Sequence, residues 1–190
     1  MKKILYLYLI VFPFTLFGQN KNLKREKGFQ FNVQTFAAVV GNKDDASEFP
    51  YSEELYMHTR HSRLFGANFE AHYRFDEYWI VGLGTGFEQI KHPDISYIPV
   101  YLSLRSSIGG DKIEAPIFRL DVGTQFGDLA KIAPLFRVGM GYRLPIYKEF
   151  CLNLEGIITY QGIRKEFDLE PDTIMEYNMF GIGIGAGIEL

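Results

Sequence analysis

Apolar and polar residues alternate along most of this chain with a period of two, the repeat of a β-strand whose two faces meet different surroundings. The pattern is plainest in Tyr177–Leu190 (YNMFGIGIGAGIEL), where Phe180, Ile182, Ile184, Ala186, Ile188 and Leu190 share one face. Gly181, Gly183, Gly185 and Gly187 share the other, which ends on Glu189. A strand with one greasy face and one emptied face suits lipid outside and a narrow lumen inside.

Seven earlier segments divide in the same way. Gly28–Gly41 sets Phe29, Phe31, Val33, Thr35, Ala37 and Val39 against Gln30, Asn32 and Gln34. Ser62–Phe75 sets Phe65, Ala67, Phe69, Ala71, Tyr73 and Phe75 against Gly66, Asn68, Glu70, His72 and Arg74. After the Asp76-Glu77 turn, Trp79, Val81, Leu83, Thr85 and Phe87 oppose Gly82, Gly84, Gly86 and Glu88. The fourth strand carries Ile98, Val100, Leu102 and Leu104 against Tyr97, Tyr101, Ser103 and Arg105, with Pro99 marking a bulge or an irregular end. The fifth sets Phe118, Leu120, Val122 and Phe126 against Arg119, Asp121, Gly123 and Gln125. In the sixth, Phe136, Val138, Met140 and Tyr142 face away from Arg137, Gly139, Gly141 and Arg143, and Pro145 starts a turn. The seventh sets Phe150, Leu152, Leu154, Ile158 and Tyr160 against Cys151, Asn153, Glu155, Thr159 and Gln161.

Eight antiparallel strands bring both chain ends to one side. The turns at Asp76-Glu77, Gly109–Ala115 and Pro145–Glu149 fall at that end, and the long loops 42–61 and 162–175 fall at the other. Short turns beside the termini and long loops opposite are the outer-membrane arrangement. The expected fold is therefore all-β, an eight-stranded antiparallel up-and-down transmembrane β-barrel. Its last strand pairs with Gly28–Gly41 and removes the open edge.

Charge decides which face is inside. Glu70, Arg74, Glu88, Arg105, Arg119, Asp121, Arg137, Arg143, Glu155 and Glu189 all fall in the glycine-rich set, with His72 among them. A midplane arginine facing lipid costs about 2–4 kcal/mol, whereas arginines and acids inside a barrel can pair. The bulky apolar set could not fit an eight-stranded interior, which is only just wide enough to be filled by side chains or to hold one small ligand. These eleven residues are thus expected to form a lumen charge network that blocks the passage. A soluble lipocalin-like binder, with its apolar face inward, is the structural alternative. Outward aromatics form two belts: Phe29, Tyr73, Phe75, Trp79, Tyr142 and Phe150 near the termini, and Phe65, Phe87, Phe126, Phe136, Tyr160 and Phe180 near the long loops. Aliphatic residues lie between them, as in the girdles of membrane barrels.

Composition adds limits. The 190 residues carry a formal charge of −3, which gives no basic footprint for nucleic acid. One cysteine, Cys151, excludes an intramolecular disulfide and reads as an inert strand residue. Lys2 and Lys3 precede an apolar run, Ile4–Phe17, too short to span a membrane as a helix and interrupted by Pro13. Residues 1–18 read as an export signal, 19–27 as a mobile polar lead-in and 28–190 as the barrel.

The signal segment, YWIVGLGTGFE, YIPVYLSLR and the final FGIGIGAGIEL together resemble the small eight-stranded outer-membrane barrels, the OmpA/OmpX-like and porin-family β-barrel domains. The likeness extends over the whole mature chain. It implies a place in the cell outer membrane and insertion by the barrel-insertion machinery. Such proteins often finish on an aromatic, whereas this chain finishes on Leu190.

Candidate chemistry is thin. His58 and His61 lie near Glu53 and Glu54, but without a helix that spacing does not define a metal site. Ser52 and Ser62 lack the G-x-S-x-G or oxyanion glycines of a lipid hydrolase. The GLGTG run at 82–86 has no following helix to cradle phosphate. Acids in the loops (Asp44, Asp45, Glu48, Asp168, Glu170, Asp172) lack EF-hand spacing. The expectation is a monomer without cofactor, metal or catalytic site, in contact with outer-membrane lipid. Its role would be structural, or interactive through an extracellular ligand or protein at loops 42–61 and 162–175. The alternatives are a narrow channel or transporter for small or hydrophobic solutes and a lipid-modifying enzyme.

Overall fold

The computed structural model describes residues 25–42, 62–91, 94–127, 133–147, 150–166 and 174–190. The export signal at 1–18, most of loop 42–61 with His58 and His61, and Asp168, Glu170 and Asp172 lie outside the described residues. The described strands are β1 (Gly28–Asn42), β2 (Ser62–Arg74), β3 (Trp79–Lys91), β4 (Ile95–Ser107), β5 (Ala115–Gly127), β6 (Ala133–Tyr147), β7 (Phe150–Glu166) and β8 (Ile174–Glu189). Each pairs antiparallel with its sequence neighbour, and β1 pairs with β8, so the sheet closes. At the seam Phe31 and Leu190 exchange two backbone bonds of 3.0 and 2.8 Å, leaving no open edge there.

Three local expectations are corrected. Pro99 makes no bulge: the β3–β4 ladder runs to Thr85↔Val100, passes over Ile98 and Pro99, and resumes at Glu88↔Tyr97 in the same register. Proline removes a donor without inserting a residue, so a ladder bond is lost and the register is kept. Pro145 does not begin a turn. It sits inside β6, where the β6–β7 register shifts between Pro145 and Tyr147. The last loop is shorter than 162–175, because β7 and β8 continue to pair from Gly162↔Asn178 to Glu166↔Ile174.

The faces fall as the charges require. Phe29 is 77% exposed, the other residues of both aromatic belts are also exposed, and the aliphatic Ile184 is 75% exposed. A soluble binder has the reverse arrangement. Phe136, Tyr160 and Phe180 line up across β6, β7 and β8, and the Phe29 and Tyr73 rings meet edge-on at 5.2 Å. The zone between the belts is not wholly aliphatic, since Phe31 and Phe69 stack there at 6.1 Å.

Inward glycines clear space for rings on adjoining strands. A Cβ on Gly84 would lie 2.3 Å from the Tyr101 ring, and one on Gly82 would lie 2.2 Å from the His72 ring. One on Gly66 would lie 2.2 Å from the Phe36 ring. The glycine face is therefore occupied by its neighbours, and the narrow lumen is packed.

Candidate functional site

All eleven lumen residues named from the sequence are buried inside the barrel. The strands that carry them arrange the interior in three levels.

The middle level is ionic and centred on Glu70 of β2, which is wholly buried. Its carboxylate accepts bonds from Arg105 and Arg119, from Asn32 Nδ2 at 2.8 Å and from the Tyr101 hydroxyl at 2.8 Å. His72 Nε2 stands 3.6 Å away. Arg119 also meets Asp121 Oδ2 at 2.6 Å, the Gln34 side-chain oxygen, and Glu155 Oε2 at 3.4 Å. Arg105 reaches Glu155 Oε1 at 3.5 Å. A second group lies nearer the long loops. Arg137 pairs with Glu88, Asn68 Nδ2 donates to Glu88 at 3.3 Å, and Arg137 Nε donates to Thr159 at 3.4 Å. Tyr97 donates to Gln161 at 2.8 Å, and Gln161 donates to Thr159 at 3.2 Å. Tyr101 joins the two groups, since its hydroxyl serves Glu70 while Arg137 stands 5.8 Å from its ring centre. Buried charges of this kind persist only when paired and hydrogen-bonded.

The loop-end level is apolar and was not legible as a separate feature. Phe36, Ala38, Val40, Leu64, Ile90, Ile95, Tyr97, Ala133, Ile157 and Met179 form one buried cluster. Its signal was present in β1, whose polar row stops at Gln34 and continues inward as Phe36, Ala38 and Val40. Arg137 lies where the two levels meet, its guanidinium carbon 4.8 Å from the Phe36 ring centre.

At the terminus-end level two of the lumen arginines bond backbone carbonyls. Arg74 donates to the carbonyls of Asp76, Glu77 and Gly110 at 3.0, 2.6 and 3.0 Å. Arg143 donates to the carbonyls of Ile113 and Lys112 at 2.8 and 2.9 Å and to Ser107 Oγ at 3.2 Å. Both arginines hold turns. Glu189 pairs instead with Arg25, and Asn153 Nδ2 donates to it at 2.7 Å. Arg25 lies in the segment expected to be mobile, yet its side chain is only 7% exposed and its amide bonds the carbonyl of Asp111 at 2.8 Å. A polar lead-in gives no periodic signal, so its docking could not be read ahead of the fold.

No protein-family model and no curated protein matches the chain. Among solved structures, Neisserial surface protein A (NspA) aligns over 85% of this chain and 96% of its own, at 12% identity and a TM-score of 0.56. The outer membrane protein OprG from Pseudomonas aeruginosa aligns over 89% of this chain and 99% of its own, at 14% identity and a TM-score of 0.51. With its apolar exterior, closed seam and packed polar lumen, the chain has the fold of the small outer-membrane β-barrels.

Proposed function

We propose that this protein is an integral outer-membrane barrel with a structural or surface-interaction role, whose lumen is a plug and not a passage. The supporting observation is the double closure of the lumen: a salt-bridge network around Glu70 at its middle, then the apolar cluster around Leu64 and Ile90 at the loop end. A hydrated ion crossing the barrel would have to break buried ion pairs and then lose its water among hydrocarbon side chains, and each step is costly. The strands anchor in lipid through the exposed aromatic belts, and the chain ends lie on the periplasmic side. Outward work then falls to the loop end, through the segments that connect β1 to β2 and β7 to β8.

Planar-bilayer recording of the refolded barrel tests the plug. The expected record is a silent bilayer despite incorporated protein. Large, stable openings would replace the plug with the channel reading.

A further inference from the structure

The β4–β5 connection does more than reverse the chain. Within residues 108–114 Gly110 and Ile113 are buried while Ile108 and Lys112 stay exposed, so the middle of the connection turns in over the terminus-end mouth, where lumen arginines reach its carbonyls. The connection is gripped from opposite walls. Arg74 of β2 holds the Gly110 carbonyl at 3.0 Å, and Arg143 of β6 holds those of Lys112 and Ile113 at 2.9 and 2.8 Å. In a ring of eight strands, β2 and β6 face each other.

A third hold comes from the N-terminal segment. β1 lies opposite the β4–β5 side of the ring, yet the Arg25 amide, just ahead of β1, bonds the carbonyl of Asp111 at the middle of the β4–β5 connection. Three residues reach at most about 10 Å, so residues 25–28 and the inward-reaching connection span the mouth between them, the N-terminal segment acting as a strap on the connection. Gly28, at φ 142°, and Gly110, at φ 68°, supply the backbone turns where the strap leaves β1 and where the connection bends inward. The Arg25 guanidinium descends into the mouth, where Arg74 and Arg143 both feel its charge. Glu189 pairs with it directly, and Asp111 lies within electrostatic range of Arg74.

The two ends of the lumen are thus shut by different chemistry. The loop end is filled with hydrocarbon side chains. At the terminus end, most holds are hydrogen bonds from arginines to turn carbonyls, partners that water can replace. We propose that residues 108–114 and the strap at 25–27 form a latched lid, with Glu189 as its catch, which opens the polar lumen to water from the terminus end alone. This goes beyond the closed-barrel reading, which needs neither end to move.

The single cysteine is a native reporter of the lid. Cys151 is 1% exposed and is the register partner of Glu189 between β7 and β8, so it lies beside the catch, under the same cover. Its labelling by a small charged methanethiosulfonate is measured on the full barrel refolded in micelles. Slow labelling of the native protein is expected. Glu189→Gln or Arg25→Ala should accelerate it by about tenfold to hundredfold, the population shift expected when one charged hydrogen bond is lost from a local opening. Arg25→Lys should restore most of the protection, and Leu64→Ala at the loop end should leave the rate unchanged. Heat-modifiable migration reports that each variant is folded. Should Glu189→Gln fail to assemble, Arg25→Ala carries the test, because Arg25 precedes β1. Equal rates in native and folded latch variants would overturn the lid. So would a native thiol as reactive as an exposed one, or acceleration by Leu64→Ala as large as by Arg25→Ala.

Discussion

Leu64 and Glu70 both point inward from β2, and both are wholly buried. Leu64 enters the loop-end cluster with Ile90 and Val40, where any apolar side chain of suitable size can exclude water. Glu70 enters the middle level, where it is tied at once to Arg105, Arg119, Asn32 and Tyr101. Removing a methyl group from the first level leaves a gap. Removing a carboxylate from the second strands two guanidinium groups away from water. One level closes the lumen by shape and tolerates substitution. The other closes it by mutual neutralisation and depends on every partner.

The largest effect should come from removing the space that both levels share. A Cβ on Gly183 would lie 2.2 Å from the Ala37 carbonyl and 2.5 Å from Ala38 Cβ, so Gly183→Phe should abolish the heat-modifiable folded band. Ile184→Leu, on the exposed face of the same strand, should change stability by no more than about 0.5 kcal/mol. Equal tolerance at the two positions would mean that the faces are reversed.

The contrast between levels is sharpened by pairs of substitutions. Glu88→Ala or Arg137→Ala should each cost about 3–5 kcal/mol in denaturant unfolding from lipid, because either leaves a buried charge without its partner. Glu88→Leu combined with Arg137→Met should recover most of that loss. At the loop end, Leu64→Ala should cost about 2–5 kcal/mol, and adding Ile90→Ala should deepen the loss by enlarging the cavity. Failure of the double replacement at Glu88 and Arg137 to recover stability would dissolve the distinction.

The smallest effect belongs to the β2–β3 turn, outside both levels. Asp76 Oδ1 accepts the amides of Tyr78 and Trp79 at 2.6 and 2.8 Å, and these donors hold its carboxyl below the usual carboxylate range. A carboxylate with a depressed folded pKa supports the fold above its unfolded pKa, about 3.9 for aspartate, and loses that support as pH falls through the folded value. The Tyr78 and Trp79 amide resonances should therefore shift only in acid, with a midpoint below the ordinary aspartate value. Asp76→Asn should remove the titration and leave the barrel assembled.

Much of this was open to reading because a barrel wall is a local object. Each strand must present one face to lipid and one to the lumen, so Phe180 to Leu190 reveal both faces in eleven consecutive residues. Strand number, face assignment and the eleven buried lumen residues follow from that alternation. Pairing within the lumen follows from distances between strands far apart in sequence, which no local pattern records. Arg119 and Glu70, forty-nine residues apart, could be placed on the same side of the wall but not on the same level.

The sequence by itself determined the eight-strand barrel, its inside and its outside, since a two-residue period leaves each side chain only two places to go. Tertiary structure alone decided that Glu189 takes Arg25 as its partner, that Arg74 and Arg143 hold turn carbonyls, and that the lumen changes from ionic to apolar along its length. Strand tilt and stagger set these heights when the sheet closes, because only then do residues from different strands meet at one level.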